Sequence, residues 1–164
     1  MPKISSALSF LLLSLALSGL AVSESKNVES LRKERTNLER TSDPVERTKL
    51  SVKVSDILIL LINEAAKAGE DKLVDQYLGD YAKTIKDAED ILMKTGKDAH
   101  KHPAGFKELE IGLRKQQRRL SDIGKLLDYD QRNALDRAQK LASDIDDRLV
   151  REMLLKDPNA ARKP

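Results

Sequence analysis

Apolar residues recur at alternating steps of three and four along three long stretches of the chain, at 74–92, 106–127 and 135–149. This spacing places the side chains on one stripe of an α-helix, and such a stripe must pack against other helices. Gln116 is the one amide side chain within the stripes. The members are Val74, Leu78, Tyr81, Ile85, Ala88, Leu92, Phe106, Leu109, Leu113, Gln116, Leu120, Ile123, Leu127, Leu135, Ala138, Ala142, Ile145 and Leu149. The pattern predicts an all-α fold.

Another long helix precedes these three and is the first of four in chain order. Asp43 has the residue type of an N-cap, and Pro44 and Glu46 fit the first and third helical positions. The helix carries the apolar run 57–62, which charged residues bracket too closely for a membrane span. We expect this helix to end near Gly69 and to be the most buried of the four.

The remaining boundaries follow from glycine and proline. Gly96 is expected to cap the second long helix, and the third is expected to run from Pro103 or Ala104 to about Leu127. The fourth is expected from about Asp130 to Leu155. Because the connections are short, we predict an antiparallel bundle of about four long helices over 44–155.

Two flanking segments are assigned separately. Residues 24–43 carry a weaker apolar stripe in which Arg35 stands where an apolar residue would fit. This segment is predicted to be an N-terminal helical arm, either a fifth helix or a loosely docked one. Residues 156–164 are predicted to form a flexible tail.

Residues 1–23 have the features of a secretory signal peptide. Lys3 precedes an apolar run, and Ala21-Val22-Ser23 supplies small residues for cleavage after Ser23. The alternative is an uncleaved membrane anchor. The signal predicts a secreted or periplasmic protein, with no transmembrane segment in the mature chain.

Composition excludes several classes of function. The chain has no cysteine, which excludes disulfides, thiol catalysis, thiolate zinc sites and iron–sulfur clusters. Its 30 Lys and Arg residues nearly balance 27 Asp and Glu residues, whereas in a nucleic-acid binder basic residues would dominate. We expect no cofactor and no nucleic-acid partner.

Both histidines lie in the loop "GKDAHKHPAGF" at 96–106. Asp98, His100 and His102 are candidate metal ligands. Asp98 is the only local third ligand, and the two histidines lack the i, i+4 helical spacing of common histidine pairs. The interpretation we favour is a polar loop between two helices.

A basic stripe follows in the third long helix. At about 100° per residue, its cations fall on one narrow line, nearly opposite the apolar stripe, with Ile111 exposed among them. The candidate partner-binding residues are Lys107, Ile111, Arg114, Arg118 and Lys125. Such a surface suits an acidic protein, a lipid headgroup or a cell-wall polymer. The alternative is an ordinary solvated face that contains a Glu110–Arg114 pair.

No motif for catalysis is present. The chain lacks a recognisable nucleophile motif and a glycine-rich phosphate loop. Acids of the last helix precede bases by four residues, which favours local ion pairs over a catalytic or calcium-binding cluster. The pairs expected are Asp136–Lys140, Asp144–Arg148 and Asp147–Arg151.

One short stretch, "LDYDQR" at 127–132, resembles the Leu-Thr-x-x-Gln signature of small periplasmic helical stress chaperones. Leu127 and Gln131 match, whereas Asp128 stands where the signature has threonine. One copy is present where that family typically carries two. The resemblance implies a binder of unfolded proteins, and it does not assign the chain to the family.

The function that these features favour is a non-enzymatic interaction or structural protein of the bacterial envelope. Its partner would be a protein or an anionic envelope component. The alternatives are a chaperone-like or stress-related binder of unfolded proteins and a metal-binding helical bundle. The apolar stripes fit packing within one chain or across a homo-oligomer.

Overall fold

The computed structural model describes residues 26–154, which form five α-helices and no strand. The helices are α1 (Lys26–Arg40), α2 (Pro44–Ala68), α3 (Asp71–Lys94), α4 (Phe106–Ile123) and α5 (Tyr129–Leu154). The predicted signal peptide and tail lie outside the described residues. The all-α prediction is confirmed, and every residue of the three predicted stripes is buried.

Helix α2 begins and ends where the sequence indicates. The Asp43 carboxylate accepts a hydrogen bond from the backbone N–H of Glu46 at 2.9 Å. Gly69 has a φ of 70° at the other end, and the next amide, of Glu70, donates back to the carbonyl of Ala65. This cap reverses the chain at once, so α2 and α3 form an antiparallel hairpin.

Helix α4 is shorter than predicted at both ends. Gly105 has a φ of 85°, which is outside the helical region, so α4 begins only at Phe106. The chain leaves the helix after Ile123 and turns at Gly124, and Leu127 still returns to the core with 3% of its surface exposed. Lys125 therefore lies in a turn and not on the helical stripe.

Two hairpins lie side by side in the same direction. Val52 and Asp56 of α2 meet Gly112 and Arg119 of α4, so these helices run parallel. Helices α3 and α5 are also parallel, because Asp71 meets Gln131 and Glu89 meets Arg148. The pairs α2–α3 and α4–α5 are antiparallel.

The prediction that neighbouring helices are antiparallel therefore fails for α2–α4 and α3–α5. The connection at 95–105 is long enough to carry the chain past α3, so α4 packs mainly on α2 and α5 and makes few contacts with α3. Only a tight connection forces successive helices to be neighbours.

Helix α1 is a docked fifth helix. It packs on α2, where Arg47 donates hydrogen bonds to the carbonyls of Leu38, in the last turn of α1, and of Thr41, just beyond it. Arg35 reaches across to Asp80 of α3 at 2.8 Å, which explains its position within the apolar stripe. No helix in 26–154 combines the length and the apolar character needed to cross a membrane.

Replacing two helical glycines by alanine is expected to have opposite effects on the free energy of unfolding. A Cβ at Gly112 would lie 2.8 Å from Cγ1 of Val52, whereas a Cβ at Gly79 would meet no atom within 4 Å. Gly79→Ala should stabilise the fold by about 1 kcal/mol through helix propensity. Gly112→Ala should destabilise it, because overpacking a contact with a stiff side chain costs roughly 1–3 kcal/mol and exceeds that gain.

Urea unfolding of both variants gives the comparison, with Gly79→Ala as the matched control for propensity. Stabilisation by Gly112→Ala would show that α2 and α4 do not approach each other this closely.

Candidate interaction surface

The histidine loop is held by its own acid. One oxygen of Asp98 accepts the backbone N–H of His100 at 2.9 Å, and the other pairs with the Lys101 ammonium at 3.4 Å. Desolvation favours the neutral acid, but these bonds outweigh it and lower the pKa of Asp98. His100 Nδ1 lies 3.1 Å from the Met153 carbonyl, so the ring docks the loop on the end of α5.

The three candidate ligands thus serve the loop itself. His102 is exposed, and its backbone N–H donates to the carbonyl of Asp98. Within residues 26–154, no group of three or more histidine, aspartate or glutamate side chains is arranged to hold a metal ion.

A buried acid joins α3 to α5. Glu89 is 2% exposed and accepts two hydrogen bonds from Arg148, at 2.6 and 3.0 Å, and a third from Lys86 at 3.0 Å. Burial favours the neutral acid, but the three charged hydrogen bonds prevail and lower the pKa of Glu89. The Glu89 carboxylate therefore serves the packing of α3 against α5.

The local ion pairs predicted for the last helix do not form among the described residues. Arg148 reaches Glu89 instead of Asp144, Lys140 turns to Asp144, and Arg151 donates to the carbonyl of Asp147. A buried carboxylate attracts a cation more strongly than an exposed one, because water screens the charges less in the interior.

A second buried polar group lies between α2 and α4. The Gln116 amide, 1% exposed, donates to the Ser55 hydroxyl at 2.8 Å and to Asp56 at 3.1 Å. Arg119 also contacts Asp56, at 3.4 Å. The bonds of Gln116 fix the register of α2 against α4.

Burial, with a smaller contribution from Asp56, raises the pKa of Tyr81 in α3 well above its usual range, so the phenol stays neutral.

The predicted basic stripe is divided by the structure. Lys107, Ile111 and Arg118 are exposed along α4, whereas Arg114 is bound by Glu110 at 2.6 Å and by Asp146 of α5 at 3.5 Å. Lys125 pairs with Asp122 in the turn. The Glu110–Arg114 pair that the sequence predicts is thus present, and it removes Arg114 from the set of unpaired cations.

Helix α2 adds a cation that sequence reasoning missed. Lys53 is exposed and follows Val52, the residue that contacts Gly112 of α4. Because α2 and α4 are parallel neighbours, the Val52–Gly112 and Ser55–Gln116 contacts put Lys53 at the level of Lys115 along the bundle. Lys115 is an exposed cation of α4 that the predicted stripe did not include. We define the basic face as Lys53, Lys107, Lys115 and Arg118. Within 26–154, none of these four side chains has a hydrogen-bond or ion-pair partner.

Acids near the basic face are already engaged. Asp56 is bound by Gln116 and Arg119, and Asp122 is bound by Lys125. Glu108 accepts the backbone N–H of Gly105 at the start of α4. Among the described residues, none of these acids forms an ion pair with a cation of the basic face, so the four cations are available to a partner.

A shallow groove borders the basic face toward the C-terminal ends of α2 and α4. It has a volume of about 190 Å³ and is lined by Ile59, Leu60, Asn63, Arg119, Asp122 and Ile123. Leu60 is 40% exposed there, and Ile111 is 39% exposed on α4. Leu60 could be recognised only once α2 and α4 were known to be neighbours, since the predicted helix 44–69 was expected to be the most buried.

The stretch that resembles the chaperone signature has a structural role in this chain. Asp128 accepts the backbone N–H of Gln131 at 3.3 Å, as an N-cap of α5 does, and the Gln131 amide donates to Asp71 at the start of α3. Leu127 is buried. These residues close the α4–α5 turn onto the end of the neighbouring hairpin.

No protein-family model matches this chain, and neither the curated proteins nor the solved structures include a significant match.

The Glu89 cluster predicts a pH-dependent contribution to stability. Because the folded-state pKa is lowered, the contribution is present above the unfolded-state pKa of about 4.3 and is lost as the pH falls through the folded-state pKa. Glu89→Gln should destabilise the protein at pH 7 by about 1–3 kcal/mol, since charged hydrogen bonds are lost.

Urea unfolding from pH 7 to about pH 2.5 measures this effect, and the difference between the two proteins should shrink below about pH 4. A difference that does not change with pH would mean that the Glu89 charge contributes nothing.

The histidine loop predicts no stabilisation by metal. Since Asp98 is occupied and His100 faces a carbonyl, we expect excess Zn²⁺ to leave the melting temperature unchanged. Calorimetry of the protein and of a His100→Ala/His102→Ala variant, with Zn²⁺ and with chelator, provides the measurement. A rise in Tm that the double variant abolishes would restore the metal-site hypothesis.

Proposed function

We propose that this chain is a non-enzymatic interaction protein of the bacterial envelope that binds an anionic partner through the basic face. The observation that carries the proposal is the set of unpaired cations on the surface that α2 and α4 form together. Lys53, Lys107, Lys115 and Arg118 have no partner within the described residues, while the acids beside them are engaged. Unpaired cations on one surface attract anions from a distance of about 10 Å at about 0.1 M salt.

The buried polar side chains are used in helix packing, which supports a role in binding and not in catalysis. Glu89 is held by Arg148 and Lys86, Gln116 by α2, and Tyr81 is neutral in the core. A catalytic acid or base has to reach a substrate, and these side chains are enclosed by helix packing. The envelope location is carried by the predicted signal at 1–23 and remains part of the proposal.

Co-sedimentation with the host envelope fraction tests the proposal. We expect the protein purified from its host to pellet at about 50 mM NaCl and to be released at about 500 mM NaCl, because salt screens exposed charges. The variant Lys53→Gln/Lys115→Gln/Arg118→Gln should lose most of this retention. The control Lys72→Gln/Lys94→Gln/Arg137→Gln removes the same charge from exposed positions of α3 and α5 and should still pellet.

Arg114 separates this surface from a general charge effect. Arg114→Gln should leave retention nearly intact, because Glu110 and Asp146 already occupy the guanidinium. Equal loss of retention in the two triple variants, or no loss in either, would contradict the proposed surface.

A further inference from the structure

We infer that the anionic partner of the basic face is a membrane surface that contains acidic phospholipid. This inference rests on the proposed function and names its partner. Two exposed apolar side chains lie on the same two helices as the four unpaired cations: Ile111 among the cations of α4, and Leu60 two turns beyond Lys53 of α2. A basic surface that also exposes a few apolar side chains suits a bilayer, because acidic headgroups attract the cations and the acyl boundary receives apolar groups.

Helix geometry puts Ile111 among the cations of α4. Because each residue advances the helix by a fixed angle, Ile111 projects in nearly the same direction as Arg118, two turns further along, and it lies between Lys107 and Lys115, each four residues away. The three cations extend from 107 to 118, about 16 Å along the axis at roughly 1.5 Å per residue. Ile111 therefore faces whatever these cations bind.

The contacts of α2 bring a second helix to the same surface. Helix α2 runs parallel to α4, and Leu60 lines the groove that both helices border with Arg119 and Ile123 of α4. Lys53 precedes Leu60 by two helical turns and is exposed as well. The two helices thus offer neighbouring ridges, each with at least one unpaired cation and one apolar side chain.

A lipid surface can contact both the cations and the apolar side chains of this surface. Acidic headgroups attract the cations, and the acyl boundary receives Leu60 and Ile111. A soluble polyanion would satisfy the cations but would leave the two apolar side chains in water. The groove beside Leu60 is small, about 190 Å³, and half of its lining residues are polar, so it does not enclose a large apolar ligand.

Vesicle binding gives the first measurement. The protein is sedimented with vesicles that mix phosphatidylglycerol into phosphatidylcholine and with vesicles of pure phosphatidylcholine. We expect binding to the acidic vesicles alone, with about fivefold weaker partition for each cation removed near the surface. The triple variant Lys53→Gln/Lys115→Gln/Arg118→Gln should therefore bind roughly 100-fold more weakly, and the Lys72→Gln/Lys94→Gln/Arg137→Gln control should bind normally.

Insertion is reported by tryptophan, which the natural chain lacks. Leu60→Trp and Ile111→Trp should each give a blue-shifted emission on addition of the acidic vesicles, because the indole enters an apolar region. Met93→Trp is the matched control, since Met93 of α3 is 37% exposed and lies outside the basic face. Its emission should not shift.

The outcomes separate this inference from the proposed function. Charge-dependent binding to acidic vesicles with blue shifts at Leu60→Trp and Ile111→Trp supports the membrane partner. Absence of vesicle binding, or equal shifts at all three reporters, overturns it. If envelope retention still depends on the basic face in that case, the proposed function stands and the partner is an acidic protein or polymer. Envelope retention that is insensitive to the triple variant overturns both.

Discussion

The close contact between α2 and α4 organises the rest of the structure. Gly112 allows the two helices to approach until Val52 fills the space where a side chain would be. Gln116 then reaches Ser55 and Asp56 in the same interface. A buried amide loses its hydrogen bonds if the helices slide, so these bonds oppose a shift of register. This contact makes the two hairpins parallel and brings Lys53 to the level of Lys115.

Two arginines form ion pairs between helices that sequence spacing does not predict. Arg148 has an acid four residues before it but binds the buried Glu89 of α3. Arg35 interrupts an apolar stripe but bridges α1 to Asp80 of α3. Both side chains connect helices that the sequence pattern alone would leave unrelated. The gain is larger for Arg148–Glu89, because the Glu89 side chain is buried, whereas an exposed pair at i, i+4 contributes only about 0.3–0.5 kcal/mol.

The candidate surface could be predicted in part. Helical spacing found Lys107, Ile111 and Arg118 on one line, and all three are exposed. It also included Arg114, which tertiary contacts with Asp146 engage, and Lys125, which lies beyond the end of α4. It missed Lys115, which projects about 60° to one side of Arg118 on the same helix. It also missed Lys53 and Leu60, since these two residues join the surface through packing between helices that are far apart in the chain. Periodicity reports one face of one helix and carries no information on its neighbours.

Local chemistry in the sequence determined the helices of this protein. Asp43, Pro44 and Gly69 set the ends of α2, and steps of three and four marked the buried residues, because capping and amphipathic spacing act within a few residues. The tertiary structure alone decided that α4 lies beside α2 and runs parallel to it. The connection at 95–105 is long enough to permit several arrangements, and packing at Gly112 with the bonds of Gln116 selects among them. Long-range packing therefore determined which exposed cations share a surface.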